Sequence, residues 1–179
     1  MLTTRGLIYE RVEGFGHGQA SNCGVARDLG MRGKVIVVTG GGAGIGAAIS
    51  LACAEEGAIP VIVNHDGPAI QETLRTLEAR GHRYDFVPMW LRSPDDCKIA
   101  VGETLARFGK IDSLVDNIGL NDNVGLEHGT PDGFMTSLRD NLAHFYGMAH
   151  YSLPSLKETR GSIVNMTSKV ALTGQGTSG

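Results

Sequence analysis

At 179 residues, with 41% hydrophobic and 20% charged side chains, the chain has the length and composition of one ordinary globular domain. Its net charge of −3, with acids and bases interspersed, gives no basic face for a phosphate backbone, so nucleic acid is not expected as a partner. No apolar stretch approaches the roughly 18 residues needed to cross a bilayer and the N-terminus lacks a hydrophobic signal core, so no membrane partner and a cytoplasmic location are expected.

The three cysteines, Cys23, Cys53 and Cys97, are widely spaced and form no C-x-x-C pair, which points to reduced thiols rather than a disulfide framework or a zinc site. The six histidines, His17, His65, His82, His128, His144 and His150, show no H-E-x-x-H or other close ligand spacing, and no metal is expected.

Residues 1 to about 30 stand apart. Gly14, Gly16, Gly18 and Gly24 interrupt the segment, and its apolar residues follow neither a helix nor a strand period. A flexible extension is expected there, an arm that pairs with a partner subunit being the other reading. Residues 31–179 are expected to form the folded domain.

From Lys34 the pattern alternates: strand 35–38, helix 44–56, strand 59–63, helix 69–80, strand 84–89, helix 95–108, strand 111–116. Ile70, Leu74 and Leu77 share one face of the second helix, and Gly81 follows as its stop. Ser93-Pro94-Asp95-Asp96 opens the third helix with a capping serine, a proline in the first turn and an acid at the third position. Thr130-Pro131 starts another helix that runs from Phe134 to Lys157, with an interruption near Asp140 and a kink at Pro154, before a strand at 162–166. Pro60 removes a ladder donor and belongs at the start of the second strand. Short apolar strands alternating with amphipathic helices predict an α/β fold, a doubly wound parallel sheet joined by right-handed crossovers.

The chemistry enters after the first strand. Thr39-Gly40-Gly41-Gly42-Ala43-Gly44-Ile45-Gly46 follows the run Val35–Val38 directly and leads into a helix. A buried strand feeding a glycine turn presents the free N–H groups and positive dipole end of the helix to an anion. Gly42, Gly44 and Ala47 also fit the G-x-G-x-x-G/A spacing, and Asp66 lies twenty residues past Gly46, where an acid that holds a ribose is expected. The order of strand, glycines, helix, strand and acid predicts a Rossmann-type dinucleotide site. A ligand-free strand-to-helix turn is the alternative.

The segment Thr39-Gly-x-x-x-Gly44-x-Gly46 resembles the cofactor signature of the short-chain dehydrogenases/reductases. Leu114-Val115-Asp116-Asn117-Ile118-Gly119 resembles that family's N-N-A-G segment, Asn141-Leu142 its helix asparagine, and Gly161-Ser162-Ile163-Val164-Asn165-Met166-Thr167-Ser168 its fifth strand with the active-site serine. The resemblance covers about residues 28–179 and implies an NAD(P)-dependent oxidoreductase that moves a hydride between a nicotinamide and a secondary alcohol.

By the same resemblance Gly40, Gly44 and Gly46 shape the pyrophosphate turn, Thr39 holds it, and Asn117 braces the central strand beside the adenosine. Gly42, Ile45, Leu91 and Gly119 join them as cofactor contacts, Asn141 supports a proton relay, and Ser168 orients the substrate. The second strand ends Asn64-His65-Asp66, where the family selects between NAD, with an acid, and NADP, with a base; Asp66 tips the expectation toward NAD. Trp90 stands where an acid often follows the third strand. Asn121-Asp122, Gly125-Leu126, Met148–Tyr151 and Thr173–Gly176 resemble bacterial members that oxidise L-fucose, which implies a sugar substrate. Members of the family usually form homo-oligomers through the helix at 141–158.

One element of the family pattern does not occur in these residues. The general acid/base there is a tyrosine one turn before a lysine, whereas Tyr9, Tyr84, Tyr146 and Tyr151 are followed at the fourth position by Glu13, Pro88, His150 and Ser155. Thr177-Ser178-Gly179 falls about where that tyrosine comes next, so a chain truncated at its C-terminal side is expected, with an incomplete sheet and an exposed fifth strand. Two alternatives to the enzyme stay open: a non-catalytic dinucleotide-binding or subunit-interaction protein, and an inactive gene fragment.

Overall fold

The computed structural model describes residues 28–120, 122 and 124–168. The expectations for residues 1–27, Asn121 and 169–179 lie outside the described residues.

Strand β1 (Val35–Thr39) is buried along its whole length and forms the centre of a five-stranded sheet. It is followed by α1 (Gly44–Glu55), β2 (Ile59–Asn64), α2 (Pro68–Ala79), β3 (Asp85–Pro88), α3 (Pro94–Phe108), β4 (Ser113–Asp116), α4 (Pro131–Leu138), a π-helical turn (Arg139–Ala143), α5 (His144–Thr159) and β5 (Ser162–Asn165). The sheet order is β3-β2-β1-β4-β5 with every pair parallel. Strands covered on both faces need side chains that are apolar in both directions, which is why they read as continuous runs rather than alternations.

Each face has its own packing partners. Val35, Val37, Val61, Val63 and Leu114 point toward α3 and α5, where they meet Cys97, Ala100, Val101, Met148 and Leu156. Ile36, Val38 and Val115 point the other way and meet Cys53 and Ala58, while Ile62 packs with Ala54, Ile70 and Leu77 from α1 and α2. This is the doubly wound arrangement that the sequence predicts. Burying a Leu, Ile or Val side chain in such a layer contributes about 1.5–3 kcal/mol.

Local signals hold as read. Ser93 Oγ accepts from Asp96 N (3.2 Å) and Asp96 Oδ2 accepts from Ser93 N (2.8 Å), a reciprocal cap on α3. Pro60 is the second residue of β2, and its Cα lies opposite Ile36. β4 begins two residues later than expected, because the Ile111 N–H goes to Ser155 Oγ (2.7 Å) instead of a neighbouring strand. The helix that Thr130-Pro131 was expected to open starts at Pro131 with Thr130 as its cap, and the interruption near Asp140 is the π-helical turn; α5 continues through Pro154. All four residues of β5 are exposed at the edge of the sheet.

Candidate dinucleotide cleft

The strand order reverses between β1 and β4, since the chain leaves one toward β2 and the other toward β5. Beyond the carboxyl ends of strands at such a reversal, the connections diverge to opposite faces and leave a crevice. A cleft of about 490 Å³ opens there. Gly40 and Ala43 come to it from the β1 turn, Asn64 and His65 from the end of β2, Met89 to Arg92 from beyond β3, Asn117 to Leu120 from beyond β4, and Asp140 from the π-helical turn.

The turn is held by side chains that the sequence reading did not single out. Ser50 Oγ, buried in α1, donates to the carbonyls of Gly41 (3.1 Å) and Gly46 (3.0 Å), and Thr73 Oγ1 of α2 donates to Gly42 O (2.9 Å). Mid-helix hydroxyls on otherwise apolar faces were the available signal. Gly40 takes φ +64° and Gly44 φ +52°, the left-handed region open to glycine. A Cβ on Gly46 would overlap the Gly40 carbonyl oxygen, and one on Gly42 would lie 2.6 Å from Ile70 Cδ1, so both positions admit only hydrogen.

Thr39 and Asn117 act together, as expected. Thr39 Oγ1 accepts from Asn117 N (3.0 Å), while Asn117 Nδ2 donates to the carbonyls of Thr39 and Gly40, both at 3.3 Å. The ends of β1 and β4 are thereby locked, and the Gly40 turn keeps its shape. α1 starts at Gly44 with Ala43 before it and no side-chain cap, so its first N–H groups lack an acceptor among the described residues. A Cβ on Gly44 would meet nothing within 4 Å. Open space in front of uncapped N–H groups fits an anionic group such as a pyrophosphate. Ile45 is exposed on this first turn and does not line the cleft.

At the β2 and β3 end, His65 stacks on Trp90 with ring centroids 3.9 Å apart and planes 9° apart, and Arg92 Cζ lies 4.5 Å from the indole centroid. Leu91, 6% exposed, closes the cleft from the core side. Asn64 Nδ2 donates to the His65 carbonyl (2.7 Å). Asp66 lies two residues past the end of β2. Its Oδ1 accepts from Gly67 N and Gln71 Nε2, both at 2.8 Å, so one carboxylate oxygen serves the start of α2, and the residue is not among those lining the cleft.

At the opposite side, Asn141 sits in the π-helical turn. Its Oδ1 accepts from Leu120 N (2.6 Å), and its Nδ2 donates to Ser137 O (3.2 Å) and Asp122 Oδ2 (3.4 Å), tying the segment after β4 to the helix. Gly119 lies beside it, 4.0 Å from Asn141 Oδ1 at the Cβ position. Ser168 is exposed three residues past β5, at the carboxyl end of the sheet.

Beneath the cleft lies an unanticipated polar group. Asp116 is fully buried; Oδ1 accepts from Thr39 Oγ1 (3.4 Å), and Oδ2 has no partner among the described residues. Burial pushes its carboxyl up to about 7 against the lowering influence of the Thr39 hydroxyl. Burial also raises the Cys97 thiol to about 11, helped by the charges of Asp96 and Asp116, and lowers the His144 imidazole against the raising influence of the Asp140 backbone carbonyl and carboxylate. No group of three or more metal-ligating side chains occurs among the described residues.

A family model described as short chain dehydrogenase matches residues 34–178. The chain belongs to this family. L-fucose dehydrogenase of Rattus norvegicus is 37% identical over 148 residues, covering 80% of this chain and 52% of the relative. The Mus musculus protein of that name is 38% identical over 144 residues, with 80% and 51% covered. The solved structure of Cj0485 dehydrogenase superposes with a TM-score of 0.76 at 36% identity over 83% of this chain and 56% of that one. The chain thus spans about half the length of the relatives it matches. No helix among the described residues is long and apolar enough to cross a membrane.

Proposed function

We propose that the chain is the dinucleotide-binding part of an NAD(P)-dependent oxidoreductase acting on a secondary alcohol, with a sugar such as L-fucose as substrate. The observation that carries this reading is the uncapped start of α1, aimed into open space beside a cleft at the strand reversal. The names of the rat and mouse relatives support the sugar.

Gly40, Gly44 and Gly46 shape the backbone that meets the pyrophosphate, with Gly42 and Ile45 in the same turn, and Thr39 and Asn117 fix it from behind. Leu91 backs the adenine side, Asn64 and His65 face the adenosine ribose, and Gly119 lets the backbone approach the ligand. When bound, the nicotinamide supplies a hydride acceptor or donor. Ser168 binds and orients the substrate hydroxyl, and Asn141 holds the segment beyond β4 in place for a proton relay. A homo-oligomer and a cytoplasmic location accompany the reading.

A second reading has its own support. A non-catalytic dinucleotide-binding or subunit-interaction protein would use the same glycine turn and cleft without a hydride step. Thermal melting with NAD or NADP, followed by L-fucose oxidation monitored through reduced nicotinamide, separates the two. The enzyme reading expects a raised melting temperature and turnover by the protein isolated from its native source. A raised melting temperature without turnover favours the binding protein, and no shift in a folded sample overturns both.

A further inference from the structure

Resting on the dinucleotide reading, we propose that Asp116 is a positioning residue for the glycine turn and a proton switch on it: the protonated carboxyl favours the bound dinucleotide, and ionisation weakens binding. Alternation along β4 turns Asp116 to the same face as Leu114, toward α3 and α5, beneath the part of the cleft lined by Gly40 and Asn117. One hydroxyl joins it to that lining. Thr39 Oγ1 donates to Asp116 Oδ1 (3.4 Å) and accepts from Asn117 N (3.0 Å), and the Asn117 amide in turn holds the carbonyls of Thr39 and Gly40. A change of charge on Asp116 therefore reaches the Gly40 turn through one hydroxyl and one amide.

The groups that face the carboxyl supply no counter-charge. β1 offers the Thr39 hydroxyl, β5 places Asn165 opposite it in register, and α3 brings the Cys97 thiol, which feels the charges of both Asp96 and Asp116. Burial holds that thiol near 11, so it stays neutral where the carboxyl titrates. On α5 the buried titratable group is His144, whose charge partner is Asp140. None of the ion pairs among the described residues includes Asp116. An uncompensated negative charge here opposes a pyrophosphate at the start of α1, because charges inside a protein act through an effective dielectric well below that of water. A neutral carboxyl removes that opposition. Coupling is reciprocal, so a dinucleotide that prefers the protonated form raises the proton affinity of Asp116 by the same factor. Burial already pushes the carboxyl up to about 7, which puts the switch near neutral pH. The asparagine of the family pattern cannot titrate, so the switch comes from the aspartate of this chain.

NAD is the probe, and Trp90, the single tryptophan of the chain, lines the cleft and reports binding through its emission. Relative to Asp116→Asn, wild-type affinity should weaken about three- to tenfold between about pH 6 and about pH 8.5, the size of one partly screened charge acting on another across roughly 10 Å. His65 also lines the cleft but is common to both proteins, so its contribution cancels in that ratio. Calorimetry at about pH 7 in two buffers of different ionisation enthalpy should show wild type taking up more protons on binding than the variant. If melting shows that the variant is not folded, the carbon-13 signal of the Asp116 carboxyl in wild type decides. NAD should raise its titration midpoint, and an unmoved or lowered midpoint overturns the switch. Equal pH dependence or equal proton uptake in a folded variant also overturns it, while NAD binding in that experiment leaves the dinucleotide reading standing. Failure of both NAD and NADP to change emission or melting at either pH removes that reading and the switch together.

Discussion

Asp116→Asn tests how the buried carboxylate affects the site and the fold. Asp116 is 0% exposed, and among the described residues Thr39 supplies its single hydrogen bond. Its carboxyl rises from 3.8 to about 7, equivalent to about 4 kcal/mol. In the folded protein it therefore keeps a proton that the unfolded chain has already lost over that interval. With more protons bound when folded, stability falls as pH rises from about 4 to about 7 and is level above it. The asparagine cannot ionise, so its stability should not show this loss. Urea unfolding of both proteins at about pH 4 and about pH 8 is the assay, the variant gaining up to about 4 kcal/mol relative to wild type between them. The gain at high pH is reduced by about 1–3 kcal/mol if the amide NH₂ finds no acceptor, but that amount is nearly the same at both pH values. Equal pH dependence in the two proteins would refute the reasoning.

Gly46→Ala drives a methyl into the Gly40 carbonyl and to 2.6 Å from Asn117 Nδ2. A melting temperature lowered by the equivalent of about 1–3 kcal/mol, together with loss of any dinucleotide-induced shift, is expected in thermal scans. Thr39→Val leaves Asn117 N without its acceptor and Asp116 without its donor, about 1–3 kcal/mol in chemical unfolding, and raises the Asp116 carboxyl further because the lowering bond is gone. His144→Phe addresses the opposite pH limb. Burial lowers this imidazole below its ordinary 6.5, so the unfolded chain gains a proton first as pH falls through that value and wild-type stability drops on acidification. The phenylalanine variant should lose that drop in unfolding curves taken on either side of about pH 6.5.

Much of the architecture was legible because its signals are local. The glycine turn announced α1 even though small residues blur that helix's periodicity, and Ser93 with Asp96 fixed the start of α3 to within one residue. Asn117 and Thr39 were placed together by their positions in a known pattern, and the structure supplies their bonds. The rest depends on side-chain direction and strand register. Asp66 has the spacing of a ribose acid, but spacing alone does not show that its Oδ1 also accepts from Gly67 N and Gln71 Nε2. His65 and Trp90 are separated by most of a strand-helix-strand unit, and only the β2 to β3 register makes them neighbours. Ser50 and Thr73 looked like unremarked hydroxyls within helices, since nothing in a linear pattern says that their faces lie under a turn.

The lock between β1 and β4 joins residues that are 77 to 79 positions apart in the chain. No early, local event in folding can make it, and the whole β1-to-β4 span must be closed first. The cleft consequently comes into being with one of the slowest steps of folding and is lost with the first opening that separates the two halves of the sheet. Amide hydrogens of β1 and β4 should exchange as one cooperative unit, and a molecule lodged across their ends holds that unit closed in proportion to its occupancy. Ligand concentration would then govern how long the central sheet survives between openings.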